Sequence, residues 1–328
     1  MKYLVTGGAG FLGSNLVDRL AEEGHEVIVM DNFSTGRNEN LTLHKKDKGV
    51  AIVSADISDY EEIKPYFKHV DIVFHVAALA DIVPSIVTPM RYYQSNVTGT
   101  ACVAEASRLA GVKKMVYAAS SSCYGIPDAY PTAETAEARP QYPYALTKYL
   151  GEQIVLHWGK VYKLPVISLR LFNLYGLRSR TSGTYGAVFG IFLAQKLAGK
   201  PFTVVGDGTQ KRDFIYISDV VDAFVKAASS DIENEVFNVG SGNPQDINTL
   251  VTLLGGEKVY IPKRPGEPDC TWAEIAKIKQ MLGWQPRVSF KEGIEIRLKN
   301  IDYWKDAPVW TPGKIEEATK DWFKYLSR

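Results

Sequence analysis

Tyr144 and Lys148 stand four residues apart in "YALTK", a spacing that stacks two side chains on one face of a helix. A phenol beside an ammonium can move a proton. Alone, with a pKa near ~10, the phenol is a poor base at neutral pH, and a neighbouring cation favours the phenolate. The spacing by itself is a weak signal. Among 18 tyrosines a second match occurs at Tyr60 and Lys64, in the polar segment "DYEEIKPYF", which reads as a solvated helix face. The rest of the chain must separate the two pairs.

A second chemical pattern lies at the start. "TGGAGFLG" (6–13) satisfies both G-x-G-x-x-G (Gly8, Gly10, Gly13) and G-x-x-G-x-x-G (Gly7, Gly10, Gly13), with Phe11 and Leu12 inside the turn. Such glycines let the backbone approach a pyrophosphate, which then rests on the positive end of the helix that follows. Asp31, with Asn32 beside it, ends the next apolar run 18 residues after Gly13. Its carboxylate can accept from both ribose hydroxyls of an adenosine and would repel a 2′-phosphate, so NAD is expected rather than NADP. Asp56 and Ile57 in "SADISD" are expected near the adenine. Ala77 and Ala78 in "HVAAL" (75–79) are small enough for a cofactor to pass the backbone. His75 is expected to point into the sheet layers as a structural residue.

These groups need elements to hold them. "KYLVTG", "EVIVMD", "VAIVSAD", "DIVFHVAA", "MVYAAS" and "PVISLRL" are short apolar, β-branched runs. Helix-period segments at 11–24 and near 59–67, 90–110 and 144–160 lie between them. Nearly continuous hydrophobic strands with intervening helices predict a doubly wound parallel sheet, a Rossmann-type α/β domain covered on both faces. Its ligands bind outside the carboxyl ends of the strands. After about residue 172 the rhythm loosens into a smaller α/β region. The expected division is a dinucleotide domain of 1–172, with a returning segment near 213–240, and a substrate domain of 173–212 and 241–328. "LYGLRSRTSGTYG" reads as a functional loop. The tail 301–328, with three tryptophans and the amphipathic "KIEEATKDWFKYL", reads as a terminal helix docked on the body.

Bulk properties narrow the classes. The 328 residues are 45% hydrophobic and 23% charged with net charge +1, so no global field draws the chain to nucleic acid or an anionic membrane. Three scattered cysteines without C-x-x-C argue against a disulfide framework and a cysteine zinc site. Five histidines show no paired spacing, and no metal is expected. No apolar run reaches the roughly 20 residues of a membrane span, and the start has no leader pattern. A cytoplasmic protein is expected.

With the glycine loop, Asp31, "HVAAL", "NVTGT" (96–100), "SSSCYG" (120–125), "YALTK" and "LRLFNLYG" (169–176) in order, the chain resembles the extended short-chain dehydrogenase/reductases. Within them it is most similar to nucleotide-sugar 4-epimerases of the UDP-galactose 4-epimerase type, from residue 2 to about 295. The resemblance implies that Tyr144 is the catalytic acid/base, that Lys148 binds the nicotinamide ribose, and that Ser120 completes a triad, with Ser121 and Ser122 close enough to shift the register. It implies that Ser34 helps hold the adenosine ribose, that Ser95 or Asn96 and the Leu171 backbone lie by the cofactor, and that Ser121 and Asn173 meet the sugar nucleotide. Arg212 in "GDGTQKRDFIYISDV" and Arg264 in "KRPGEPD" are expected to clamp its diphosphate, since guanidinium forks suit a pyrophosphate.

The pattern also departs from the family. Glu267 stands where aspartate is expected, "YGL" replaces "YGP", and Ala80 replaces a lysine that some members carry. Thr271 falls where the family sets room for the sugar's 2-substituent, and its small size hints at N-acetylated sugars. The activity implied is epimerisation at C4 of a nucleotide sugar, most simply a UDP-sugar, through a transient 4-keto sugar with tightly bound NAD. A dehydratase would carry Asp-Glu at Ser121-Ser122 and a decarboxylase a loop glutamate. "RSR" (178–180) keeps a uronic acid open as substrate. A reductase would favour NADP, and a cofactor-sensing binding protein would have lost the Tyr/Lys pair. A homodimer through the helices near 93–109 and 144–160 is the family expectation.

Overall fold

The computed structural model describes residues 1–179 and 188–327. The apolar runs become strands β1 (Lys2–Thr6), β2 (Glu26–Asp31), β3 (Val50–Ser54), β4 (Ile72–His75), β5 (Lys114–Ser120) and β6 (Val166–Leu171). A seventh strand, Glu235–Val239, joins the edge beside β6. From that edge the order is seventh strand, β6, β5, β4, β1, β2, β3, and every pairing is parallel. Strands β4 and β6 are buried along their whole length, which is why they read as unbroken apolar runs.

Successive side chains serve opposite layers. Val5, Val29, Val116 and Ile167 pack with Leu16, Val17 and Leu20 of helix α1 (Phe11–Glu22) and with Val220 and Phe224 of the helix Ile217–Ser229. Their neighbours Leu4, Ile28, Met115 and Val166 pack on the other face, against Val103 and Ala104 of the helix Gly99–Ala110 and Val155 of the helix Pro143–Tyr162. A separate aromatic cluster of Tyr175, Phe189, Phe192, Phe202, Phe214, Trp304 and Trp322 organises the second half of the chain. There, Asn173–Tyr175 pairs with Phe214–Tyr216, and Phe202–Val205 with Lys258–Ile261.

The register aligns the strand ends that matter. Thr6 pairs with Met30 and with His75, Asp31 with Ser54, Ser120 with Leu171, and Leu171 with Val239. Strand order reverses between β1 and β4, which opens a crevice at their carboxyl ends.

Two helices differ from the sequence reading. The stretch near 90–110 is broken into Pro89–Tyr93, a π-helical turn Gln94–Thr98, and Gly99–Ala110. In that turn the buried Asn96 side chain accepts from Leu79 N–H (2.8 Å) and donates to Leu79 C=O (3.0 Å) and to Thr147 (3.1 Å). These tertiary bonds favour the local widening, a form that recurs at functional sites. The stretch 59–67 is helical only over Tyr60–Ile63 and tightens at Lys64–Phe67, where Pro65 sits. Lys64 lies 5.5 Å from the Tyr60 ring on the surface.

His75 is fully buried between two threonines, with Nδ1 2.7 Å from Thr6 Oγ1 and Nε2 2.9 Å from Thr100 Oγ1. Thr100 donates its own proton to Asn96 C=O at 2.6 Å, so Nε2 carries the imidazole proton and Nδ1 accepts from Thr6. Burial, aided by the Lys148 charge, pushes the imidazole down to about 3. The folded state therefore stays neutral while the unfolded chain takes a proton below its ordinary 6.5, and stability must fall as pH drops between these values. Denaturant titrations across that window should show about one fewer proton taken up on unfolding in His75→Gln than in the wild type. An equal pH slope in both would refute the buried neutral imidazole.

Candidate active site

At the crevice the first turn of α1 has lost every Cβ that would block it. Gly7 has φ +69°, and a Cβ there would lie 2.7 Å from Ala77 Cα. A Cβ at Gly13 would overlap the Gly7 carbonyl oxygen, so strand and helix could not pack. Gly10 begins α1 without any side-chain cap, leaving the first-turn amides for an anion. Asp31 follows at the end of β2, 7% exposed, accepting from Ala9 N–H (2.9 Å) and Phe33 N–H (2.8 Å). Burial pushes its carboxyl above the usual range, against those two amides. A stripped cradle, an uncapped helix start and an acidic residue at the next strand end fit a dinucleotide with an unphosphorylated adenosine ribose.

A single cavity of about 640 Å³ runs from this cradle across the strand ends into the second half of the chain. Gly7, Gly10, Phe11, Leu12, Gly13, Asp31, Asn32, Ser34, Ile57, Ala77, Ala78, Ser95 and Leu171 line its cofactor end. Asp56 stands outside the lining. Its carboxylate accepts from Asn32 (2.9 Å) and from the Ser58 amide and hydroxyl (2.9 and 2.8 Å), so it orders the wall from behind. Of the alternatives Ser95 and Asn96, Ser95 lines the cavity, while Asn96 is committed to Leu79 and Thr147.

Tyr144, Lys148, Ser120, Ser121 and Ser122 meet in the middle. Ser120 ends β5 and caps a short turn, accepting from Ser122 N–H at 3.2 Å and lying 2.8 Å from the Ser122 hydroxyl. Tyr144 and Lys148 are one turn apart at the start of the helix Pro143–Tyr162. Burial pushes the Tyr144 phenol above its usual value, against a hydrogen bond with Ser120 that lowers it. Burial also pushes the Lys148 ammonium down to about 7, against the Glu152 carboxylate one turn on. The expectation that the lysine depresses the phenol therefore meets a stronger opposing effect, because both groups are desolvated. The Lys148 ammonium lies 4.3 Å over the Tyr117 ring.

Asn173, Arg212, Arg264, Glu267 and Thr271 line the far end. Glu267 is bonded to Arg212 at 2.8 Å and lies 3.7 Å from Arg264. Burial pushes the Glu267 carboxyl up, but the charges of Arg264 and Arg212 outweigh it and hold it low. Thr271 donates to Asn173 Oδ1 at 2.7 Å and accepts from Asp213 N–H at 3.0 Å. Such an end can take a diphosphate on two guanidinium groups and a polar ring beside the serines.

Tyr142 and Trp322 are among the lining residues to which the sequence reading gave no role. Tyr142 faces the cavity and stacks on Tyr144 with ring centroids 6.4 Å apart. Trp322 reaches it from the C-terminal helix Pro312–Leu326. Arg178, the first arginine of "RSR", lines it while paired with Asp18 at 2.7 Å. Only the proline after Tyr142 hinted at a helix start there, and nothing local marked Trp322. Arg180 of "RSR" lies outside the described residues.

Comparisons with known proteins agree with this geometry. The model of the NAD dependent epimerase/dehydratase family matches residues 3–240. A UDP-glucose 4-epimerase of Mycolicibacterium smegmatis is 37% identical over 319 residues, 93% of this chain and 99% of that protein. The crystal structure of a Thermotoga maritima UDP-glucose 4-epimerase with UDP-glucose is similar at TM-score 0.86 and 35% identity, covering 93% of this chain and 99% of that one. A Bacillus cereus UDP-glucuronic acid 4-epimerase in complex with UDP-glucuronic acid and NAD is similar at TM-score 0.85 and 30% identity, with the same coverage.

The cradle makes a sharp demand on Gly7. Gly7→Ala should cost about 1–3 kcal/mol of stability through its left-handed backbone and weaken NAD binding by closing the approach at Ala77. Thermal denaturation and NAD titration check this; wild-type values in both would remove Gly7 from the cofactor cradle.

Proposed function

We propose a nucleotide-sugar 4-epimerase, on the premise that this chain belongs to the NAD-dependent epimerase/dehydratase family. The observation that carries the reading is one cavity holding Ser120, Tyr144 and Lys148 between a dinucleotide cradle and two arginines, Arg212 buried and Arg264 half-buried. NAD, when bound, supplies the acceptor and then the donor of a hydride at sugar C4, so that the sugar passes through a 4-keto form without net redox change. The residues that would hold it are those lining the cofactor end, with Lys148 and Tyr144 at the nicotinamide side.

The chain's own groups handle the proton and the anchoring. Tyr144 takes the proton from the 4-hydroxyl and returns it to the 4-oxygen, a step that general acid–base groups accelerate by about 10²–10⁴. Ser120 donates to that oxygen as charge develops on it. Arg212 and Arg264 hold the diphosphate, with Asn173 and Ser121 beside the sugar nucleotide. An anchored diphosphate leaves the sugar ring free to present either face. Uridine is favoured because the relatives above are named for UDP-sugars. Ser121-Ser122 in place of an acidic pair speaks against dehydration.

We assign residues 1–172 and the segment near 213–240 to the NAD-binding unit, and 173–212 with 241–328 to the substrate unit. The joining of Glu235–Val239 to the main sheet supports that division. Exposed Tyr93, Leu109, Leu146, Val161 and Tyr162 on the helices around 93–109 and 144–160 support a homodimer built on those faces. No described helix is long and apolar enough to cross a membrane, which agrees with a cytoplasmic enzyme.

The test is incubation with UDP-, GDP-, CDP- and dTDP-sugars without added cofactor, with products resolved by NMR. Inversion at C4 without net redox is expected, and a requirement for added NADPH would sink the assignment. Tyr144→Phe should lower kcat by about 10²–10⁴ while UDP and NAD still bind; retention of most activity would show that another group moves the proton.

A further inference from the structure

The C-terminal helix Pro312–Leu326 starts on Thr311, whose hydroxyl accepts from Lys314 N–H, with Pro312 in its first turn. Its buried stripe is Ile315, Thr319 and Trp322. A docked tail needs only an apolar stripe, and Ile315 serves that purpose. Trp322 does more: it is 2% exposed and forms part of the cavity wall. Its indole N–H donates to the Pro265 carbonyl at 2.7 Å. The Arg264 guanidinium lies 5.5 Å from its ring centroid. On the other side the Tyr142 ring lies 6.1 Å away, and Tyr142 in turn stacks at 8° on Tyr144.

We propose that Trp322 is a positioning residue of the nucleotide-sugar site, holding Arg264 toward the diphosphate and backing Tyr142 against Tyr144. The inference rests on the epimerase reading above. Arg264 belongs to the segment 262–269, which forms neither helix nor strand, and Gly266 two residues on takes φ +71°. Such a backbone does not fix a long side chain by itself. The indole does so twice, through the hydrogen bond to the residue after Arg264 and through its π-face, which attracts the guanidinium. Glu267 faces the same guanidinium at 3.7 Å. The sequence resemblance ends near residue 295, so this wall comes from the part of the chain outside it.

The test is UDP binding by calorimetry on the full chain as purified, with KM and kcat for UDP-glucose and with NAD content and melting temperature as controls. Trp322→Ala should weaken UDP binding about tenfold, the scale of a desolvated cation–π contact. KM should rise in parallel, with kcat within about threefold and NAD content unchanged. Coupling separates positioning from mere packing: in an Arg264→Ala background, Trp322→Ala should add less than about twofold. Unchanged UDP affinity in Trp322→Ala, or effects that multiply independently with Arg264→Ala, would overturn the proposal. If Trp322→Ala does not fold, Trp322→Phe carries the test. Loss of the Pro265 bond alone should weaken UDP binding about threefold at unchanged melting temperature, and wild-type affinity overturns the proposal. Failure of the wild-type protein to bind UDP would instead strike the nucleotide-sugar reading itself.

Discussion

Behind the site, Arg170 and Glu152 form an ion pair that ties together the elements presenting Ser120, Tyr144 and Lys148, the groups proposed for catalysis. Arg170, near the end of β6, donates from Nε and Nη2 to the Glu152 carboxylate at 2.6–3.2 Å. Glu152 is 1% exposed and lies one helical turn beyond Lys148. The third nitrogen, Nη1, donates to the Tyr124 hydroxyl at 2.9 Å and the Glu134 carbonyl at 3.0 Å. Tyr124 closes the Ser120 turn and donates to Asn238 of the seventh strand at 2.7 Å. Burying such a pair is expensive, and deletion of one partner typically costs about 3–5 kcal/mol because the other charge is stranded. Here the remaining lone pairs and protons are used, which is the condition under which a buried pair is tolerated. Its placement sets the catalytic helix, the serine turn and two strands in one arrangement.

The same pair shows what the sequence could and could not tell. "LRLFN" marked a strand end and a family motif, but nothing in it said that Arg170 points away from the ligand into a network. Parallel strands were readable because both faces are buried, and the glycine loop because its turn depends on residues adjacent in sequence. The catalytic pair needed the whole chain for its context. The π-helical turn at Gln94–Thr98 was not readable, since it follows from Asn96 reaching the backbone of Leu79, 17 residues away. Tyr142 and Trp322 escaped for the same reason. Their neighbours across the cavity are each other, 180 positions apart in the sequence.

Desolvation dominates the electrostatics at the centre. The phenol of Tyr144 is pushed up and the ammonium of Lys148 down, each toward its neutral form, although simple proximity argues for the opposite on both. Burial acts on each group separately, whereas their mutual attraction requires both to be charged at once. Burial thus favours the neutral forms of both groups, with Ser120 opposing it at the phenol and Glu152 at the ammonium. A positively charged ring brought against the phenol would move that balance toward the phenolate.

The end of the cavity proposed for the diphosphate poses the converse problem, because two guanidinium groups are kept close together in a partly closed cavity. Glu267 faces both: one oxygen bonds Arg212 at 2.8 Å and the other lies 3.7 Å from Arg264. The family pattern has aspartate at this position, and the extra methylene of glutamate gives the carboxylate the reach to face both arginines. With Glu267 between them the arginines stay apart at a fixed spacing instead of repelling one another into solvent. A bridging carboxylate also leaves donor groups unsaturated, since each guanidinium carries five N–H groups and one acceptor uses only part of them. An incoming diphosphate therefore needs to add to this arrangement without displacing it. The departure from the family pattern at Glu267 and the indole wall at Trp322 both meet Arg264, so the arginine proposed to hold the diphosphate is contacted by two residues that the family motif does not contain.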